Sequence, residues 1–230
     1  GSLKPGATGQ MGNGIGSAVA GGGITLLGPT DTILETGDRR TVDGVEIEFQ
    51  MVPDSEAPAE MNLYFPTPKA LLIGELATCT QHNILTPRGA KVRDTKAWAA
   101  YLTEAINLFA DRSETFAASH CWPRFGQEKI RQYLTIQRDN YKFLHDQTVR
   151  MMNKGMTPDE IAEAIAPPPA LAATWATHGY YGTYRHNSKA IYQYYLGWYD
   201  AVPAHLDPLP PAERGAKYIA AMGGPAKVMD

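Results

Sequence analysis

Cysteine is scarce in this 230-residue chain, which contains only Cys79 and Cys121. Neither belongs to a Cys-x-x-Cys pair, so the spacing indicates neither a zinc ribbon nor a disulfide framework. With so few cysteines, the redox compartment stays undecided from composition alone.

Long apolar runs and blocks of like charge are also missing. No uninterrupted apolar segment approaches the ~18–20 residues that a membrane-spanning helix requires. Residues 1–16 lack the basic-then-apolar layout of a signal peptide, so any export signal would have to lie upstream. The 21 Lys and Arg against 24 Asp and Glu give a formal net charge of -3. We therefore expect no nucleic-acid partner and no anionic membrane partner.

The chain has an ordinary globular composition, and its N-terminal part reads as a linker followed by strands. Residues 1–23 are dominated by glycine and small side chains, which predicts a linker or loop. Beyond them, β-branched and aromatic residues occur in short runs broken by Gly, Pro and Asp, a pattern typical of strands and turns. Alternating apolar residues predict a half-buried strand over Val45–Val52, entered through the Asp43-Gly44 turn. Two further strands are predicted at Met61–Phe65 and Ala70–Ile73.

The period becomes helical after Arg93. A helix capped by Asp94 or Thr95 is predicted to run to about Ala110, and an unusually long one from about Gly126 to Asn153. Thr157-Pro158-Asp159-Glu160 is a strong helix start, with a cap, a proline and two acidic residues. Three more helices are predicted at about 170–177, 188–201 and 211–222.

Two carboxylates follow predicted strands. Glu56 lies in the turn Ser55-Glu56-Ala57-Pro58-Ala59-Glu60, and Glu75 ends the next hairpin nineteen positions later. Strand-end carboxylates one hairpin apart can converge on a metal ion. They can equally be solvated turn residues, and these residues alone leave both readings open.

A family resemblance favours the metal. The turn Glu-Ala-Pro-Ala-Glu-Met-Asn together with Tyr-Phe-Pro resembles the zinc-dependent alkyl sulfatases, the dodecyl-sulfate-hydrolysing branch of the metallo-β-lactamase superfamily. The similarity continues from about Gly28 through nearly the whole chain. The further motifs that carry it are Thr80-Gln81-His82-Asn83, Arg88-Gly89-Ala90-Lys91-Val92-Arg93-Asp94, Leu144-His145-Asp146-Gln147-Thr148, Gly179-Tyr180-Tyr181-Gly182, His186-Asn187 and Gly197-Trp198.

The resemblance implies an α+β fold: the second half of a metallo-β-lactamase-type αββα sandwich at residues 24–122, then an all-helical dimerisation domain at residues 123–230. It also implies two zinc ions in the complete site, with Glu56, Glu75 and His120 as ligands. Glu75 is the expected bridging carboxylate, and His120 is expected to end a strand that starts near Thr115. We identify no catalytic residue besides the metal ligands.

Sulfate binding is expected of Arg88, because a guanidinium matches a tetrahedral oxyanion with two parallel hydrogen bonds. Asn83, Tyr181 and His186 lie in motifs that resemble the family's sulfate-binding wall. The alternatives for these three are an Asn turn, a core tyrosine and a helix cap. The two cysteines lie beside expected ligands, and we expect them to be small packing residues, not thiolate ligands.

The family's remaining ligands form a His-x-His-x-Asp-His run. This sequence has six histidines, none of which is spaced in that way: His82, His120, His145, His178, His186 and His205. The chain is therefore expected to be part of a zinc alkyl sulfatase, inactive without an N-terminal half that carries this run, and to form a homodimer.

Exported relatives make a periplasmic or secreted location an expectation by analogy only. The alternatives are a non-catalytic dimerisation or scaffold module, and another hydrolase on the same fold. Primary or secondary alkyl substrates, and C-O or S-O cleavage, are equally compatible with the sequence.

Overall fold

A computed structural model describes residues 22–229. The chain divides into two units, residues 1–32 and residues 33–230. The linker predicted for residues 1–23 lies outside the described residues, apart from Gly22 and Gly23. Residues 22–32 are exposed and form neither helix nor strand. All the secondary structure described below therefore belongs to the second unit.

The second unit contains a six-stranded mixed sheet in which the strands lie in chain order. The strands are β1 (Arg39–Val42), β2 (Val45–Met51), β3 (Met61–Phe65), β4 (Ala70–Leu72), β5 (Thr115–Ala117) and β6 (Arg124–Phe125). Neighbouring strands are antiparallel except for the parallel pair β4 and β5. Asp43 and Gly44 both have positive φ values, 49° and 81°, as the tight turn between β1 and β2 requires. The three predicted strands are confirmed to within one residue.

The parallel step between β4 and β5 needs a crossover, and helix α1 (Thr95–Phe109) provides it. Asp94 caps this helix as predicted, since its side chain accepts a hydrogen bond of 2.9 Å from the backbone N-H of Ala97. Because β2, β4 and β5 run in the same direction, their carboxyl ends meet at one edge of the sheet. That edge carries the expected ligands.

Seven further helices follow the sheet. They are α2 (Gln127–Met152), α3 (Pro158–Ala164), α4 (Pro169–Ala172), α5 (Tyr184–Leu196), α6 (Pro203–Leu206), α7 (Pro211–Ala221) and α8 (Pro225–Met229). The long second helix and the capping box at Thr157 are confirmed. The helix predicted over 170–177 is instead α4 and a separate 3-10 turn. The helix predicted from residue 188 begins earlier, because the Thr183 side chain caps it at Tyr184. It ends at Gly197, whose φ of 83° lies in the left-handed region.

The core lies between the sheet, α1 and α2. Trp98, Leu102 and Phe109 of α1 pack with Leu134 and Tyr141 of α2, and all five are at most 1% exposed. Fully burying a large apolar side chain stabilises a fold by roughly 1.5–3 kcal/mol, so this seam fixes α1 against α2. The buried indole of Trp98 also donates a 2.7 Å hydrogen bond to the carbonyl of Leu76, which anchors the loop after β4.

The expected α+β class is confirmed by the mixed sheet and its covering helices. Strand β6 shows that the sheet continues to Phe125, just beyond the boundary expected at residues 122 and 123. Within residues 22–229, the helices are too short or too polar to cross a membrane.

Candidate metal centre

The three expected ligands follow the three strands that run in the same direction. Glu56 comes after β2, Glu75 after β4 and His120 after β5. His120 lies three residues beyond the end of its strand, in a bend, so it does not itself end the strand as expected. The shared edge nevertheless brings the imidazole Nε2 of His120 to 2.8 Å from the Glu75 Oε1 atom.

Glu75 is the centre of the cluster. Its second carboxylate oxygen, Oε2, lies 2.7 Å from the Nε2 atom of His82, so each oxygen faces a different imidazole. Glu56, Glu75 and His82 each offer a ligand atom within 4.8 Å of the others. Burial alone raises the pKa of Glu75, but the hydrogen bonds from His120 and His82 outweigh it, and the net pKa is lowered. The carboxylate is therefore ionised and available to a cation.

His82 is buried, and its ring is neutral in this environment. Burial lowers its pKa, the carbonyl of Asn83 opposes this shift, and the charge of Arg93 lowers the pKa further. Its Nδ1 atom lies 2.9 Å from the Asn83 carbonyl oxygen and 3.0 Å from Arg93 Nη1. With the proton on Nε2, the ring donates to Glu75 and accepts from Arg93. With the proton on Nδ1, it donates to the Asn83 carbonyl and leaves Nε2 free for a metal.

Arg93 joins two loops of the site. Its side chain is 6% exposed and forms an ion pair with the Glu56 carboxylate. The same guanidinium donates to the Glu56 carbonyl at 2.9 Å and to the Asn83 carbonyl at 2.6 Å. A partly buried carboxylate needs such a partner, so Arg93 holds the Glu56 side chain beside Glu75.

Glu60 adds a third carboxylate. Its pKa is raised, first by burial and then by the charges of Glu56 and Glu75. It lies against Gly74, where an added Cβ would come within 3.2 Å of Glu60 Oε1. Gly74 has a φ of 52°, so the turn leading into Glu75 needs glycine for its backbone conformation and has little room for a side chain.

Cys79 and Cys121 form a disulfide, with their Cα atoms 5.9 Å apart. The expectation that both are small packing residues is wrong. The bond joins the loop that carries Glu75 and His82 to the loop that carries His120. It therefore links the two segments whose side chains meet at Glu75.

Of the four residues expected to bind sulfate, two lie beside His82 and two lie elsewhere on the surface. Asn83 is buried, and its side-chain Oδ1 accepts from Arg93. The ring of Tyr181 is half-exposed and meets the His82 ring edge-on, with centroids 4.9 Å apart. Arg88 is exposed in the turn after Thr86, and His186 is exposed in the first turn of α5. The structure thus brings Asn83 and Tyr181 to His82, and leaves Arg88 and His186 on the surface.

Three site residues were not singled out from the sequence: His82, Arg93 and Glu60. All three lie within the motifs that carry the resemblance. A signal for His82 was its position in the same loop as Glu75, seven residues later. A signal for Glu60 was the second glutamate of the Glu56 turn.

Comparisons with known proteins show which proteins this chain is similar to. The alkyl sulfatase dimerisation family matches residues 157–230. An alkyl/aryl-sulfatase of Saccharomyces cerevisiae is 46% identical over 99% of this chain, which covers 35% of that protein. The structure of an inverting sec-alkylsulfatase from Pseudomonas sp. matches 89% of this chain at 46% identity and a TM-score of 0.86, and 32% of that protein is covered.

The similarity to the two sulfatases is close and extends over most of the chain. The chain spans about a third of the length of the curated relatives it matches, with 35% and 34% of the first two covered. Over that length, the chain is similar in sequence and in structure to alkyl sulfatases, and residues 157–230 match their dimerisation family.

Proposed function

We propose that this chain supplies Glu56, Glu75 and His120 as ligands to a dinuclear zinc centre that hydrolyses alkyl sulfate esters to an alcohol and inorganic sulfate. The observation that carries the proposal is the Glu75 carboxylate, with one oxygen facing His120 and the other facing His82. Carboxylates and imidazoles are ordinary zinc ligands. A carboxylate with both oxygens presented to ligand groups is suited to bridging two cations.

The reaction consumes one ester and one water and yields one alcohol, one sulfate and one proton. Zinc bound at this edge would supply Lewis acidity and lower the pKa of water. The chain's own contribution is to hold these ligands in position. Arg93 forms an ion pair with Glu56, and hydrogen bonds from the two imidazoles outweigh burial and lower the pKa of Glu75. The names of the relatives, an alkyl/aryl-sulfatase and a sec-alkylsulfatase, support alkyl sulfate esters as the substrate class.

Arg88, Asn83, Tyr181 and His186 are proposed to bind the sulfate group. Arg93 already donates to Glu56 and Asn83, so its guanidinium is committed to the protein. Arg88 is exposed, which leaves its guanidinium accessible to an oxyanion. The edge-on contact of Tyr181 with His82 supports the assignment of Tyr181 to this group.

A homodimer is proposed for the parent protein, through helices in residues 123–230. Helix α7 has no buried residue, and Tyr218 and Ile219 on it are 64% and 39% exposed. A helix whose apolar side chains are left uncovered by the described residues is suited to contact with a second subunit. A segment with a His-x-His-x-Asp-His run, which residues 1–230 do not contain, is proposed to complete the zinc centre.

Native mass spectrometry tests the metal and the dimer together. We expect a zinc-bearing dimer from the wild-type chain, and loss of zinc with retention of the dimer for Glu75→Gln. The matched control is Glu114→Gln, which alters an exposed ion pair with Lys69 and should leave zinc in place. Hydrolysis of dodecyl sulfate should appear only in a sample that also contains the His-x-His-x-Asp-His segment.

Two outcomes would contradict the proposal. A dimer that takes up no zinc would favour the non-catalytic dimerisation or scaffold module. Zinc retained in full by Glu75→Gln would show that the metal binds elsewhere.

A further inference from the structure

Side chains from two helices, α2 and α5, form hydrogen bonds with the main chain of His82. The backbone N-H of His82 donates a 2.9 Å hydrogen bond to the Tyr141 hydroxyl on α2. The His82 carbonyl accepts a 2.9 Å hydrogen bond from Asn187 Nδ2 on α5. The backbone of this site residue is thus fixed by the helical part of the chain, not by the sheet.

Asn187 makes a second hydrogen bond to the same loop. Its Oδ1 atom accepts from the backbone N-H of Ile84 at 2.9 Å. One amide side chain therefore pairs with a carbonyl and an N-H on the two sides of Asn83. Asn187 is 1% exposed, so losing either hydrogen bond would leave a buried polar group unpaired. This pairing restrains both peptides that set the directions of His82 and Asn83.

Residues 178–182, which precede α5, approach the His82 loop closely. The N-H of Gly182 donates to the Gln81 carbonyl at 2.9 Å, and the N-H of Gln81 donates to the His178 carbonyl at 3.0 Å. A Cβ at Gly182 would lie 2.3 Å from the His82 carbonyl oxygen. Residues 178–182 therefore lie directly against the His82 loop, a short distance in sequence before Asn187.

The paired hydrogen bonds of Asn187 connect the segment that matches the dimerisation family with the loop that carries His82. Asn187 lies within the segment that matches the alkyl sulfatase dimerisation family, residues 157–230. His82 faces Glu75, and Arg93 contacts both His82 and Asn83. A displacement of the His82 peptide by a fraction of an ångström would therefore change the contacts of Glu75 and Arg93 together.

We propose that Asn187 is a positioning residue of the metal centre, which fixes His82 and Asn83 through its paired hydrogen bonds to the His82 carbonyl and the Ile84 N-H. This inference rests on the proposed function, because His82 contacts the proposed ligand Glu75 and Asn83 is proposed to bind the sulfate group. Through Asn187, the segment that matches the dimerisation family sets the geometry of the metal-binding edge.

The test compares Asn187→Ala and Asn187→Asp with the wild-type chain. Ser188→Ala is the matched control, because Ser188 is the buried neighbour of Asn187 and its hydroxyl donates within α5, to the Arg185 carbonyl at 3.1 Å. Imidazole ¹⁵N signals of His82 and amide hydrogen exchange of Ile84 are measured without metal. Circular dichroism establishes that each variant is folded.

In the wild-type chain and in Ser188→Ala, we expect His82 to show one tautomer and the Ile84 amide to be protected. In Asn187→Ala, the tautomers should average and Ile84 should exchange about tenfold faster or more, since both hydrogen bonds are lost. Asn187→Asp keeps an acceptor for Ile84 but sets an oxygen against the His82 carbonyl, so it should disturb His82 and preserve Ile84 protection. Unchanged His82 signals in both variants, or equal changes in Ser188→Ala, would overturn the proposal.

Zinc titration calorimetry on the same four proteins separates this inference from the proposed function. Zinc binding to the wild type with about tenfold weaker binding to both Asn187 variants would support both. Absence of zinc binding to the wild type would count against the proposed function, and the metal-free measurements would still decide the role of Asn187. Equal zinc affinity in all four proteins would overturn the positioning role.

Discussion

Cys79 is disulfide-bonded to Cys121 across 42 positions of sequence. The closed loop contains helix α1, strand β5 and the histidines at 82 and 120. Glu75 lies just outside the loop and contacts both histidines. The covalent bond therefore restrains the same two segments that meet at the candidate metal centre.

The first prediction concerns this bond. Replacing both cysteines by serine should lower the free energy of unfolding by roughly 4 kcal/mol, the chain-entropy estimate for a loop of this length. Urea denaturation of the oxidised wild type and the double variant measures the difference. A reducing agent should destabilise the wild type and leave the double variant unchanged. Equal stability of the two oxidised proteins would show that the bond does not form or does not constrain the chain.

Arg93 should contribute strongly to stability because it compensates a partly buried carboxylate. Arg93→Met leaves Glu56 without its cation and should cost roughly 3–5 kcal/mol of unfolding free energy, the range for breaking a buried ion pair from one side. Guanidinium denaturation measures the change. Lys69→Met is the comparison, because Lys69 and Glu114 form an exposed pair and its loss should change stability far less. Similar effects of both substitutions would contradict the assigned role of Arg93.

Strand order explains why part of the site could be predicted from the sequence. Alternation predicted β2 correctly, and short apolar runs bounded by turn residues predicted β3 and β4. Two antiparallel steps make β2 and β4 run in the same direction. Glu56 and Glu75 therefore had to emerge at the same edge. The residues alone did not decide between a metal site and solvated turns, and the family resemblance was needed to favour the metal.

The remaining contacts depend on long-range packing that local patterns do not encode. Cys121 reaches Cys79 only because α1 carries the chain across to a strand parallel with β4. Arg88 and Arg93 lie in one motif, and nothing in their spacing indicates which one points inwards. Arg93 does so because its backbone N-H bonds to the Ile84 carbonyl at 3.0 Å, immediately before α1 begins.

A pH dependence of stability follows from Glu48. Hydrogen bonding to Arg112 lowers the pKa of this carboxyl below its ordinary value of 4.5, although burial acts in the opposite direction. A carboxyl with a lower pKa in the folded state stabilises the fold above its unfolded pKa, and this contribution is lost as the pH falls. Glu48→Gln should therefore be less stable than wild type at neutral pH, and the difference should shrink below about pH 4.5.

Thermal denaturation from pH 3 to pH 7 is the corresponding measurement. Glu46→Gln is the control, since Glu46 lies on the same strand and pairs with Arg39 in an exposed position. The stability of Glu46→Gln should equal that of the wild type at every pH. A Glu48→Gln deficit that does not vary with pH would mean that the ionisation of Glu48 is not the cause.

The last prediction concerns the contact between residues 178–182 and the His82 loop. Gly182→Ala would place a methyl group 2.3 Å from the His82 carbonyl oxygen and 2.6 Å from the Asn83 nitrogen. Both neighbours are backbone atoms, so one segment must move, at a cost of roughly 1–3 kcal/mol as for overpacked cores. Gly215→Ala is the opposite case, because Gly215 lies inside α7 and, apart from the helix backbone itself, the described residues have no atom within 4 Å of its Cβ position. That substitution should stabilise the chain by roughly 0.5–1 kcal/mol, because alanine favours a helix interior over glycine. Urea denaturation of both variants decides the matter, and a Gly182→Ala chain as stable as wild type would show that the two segments are not in close contact.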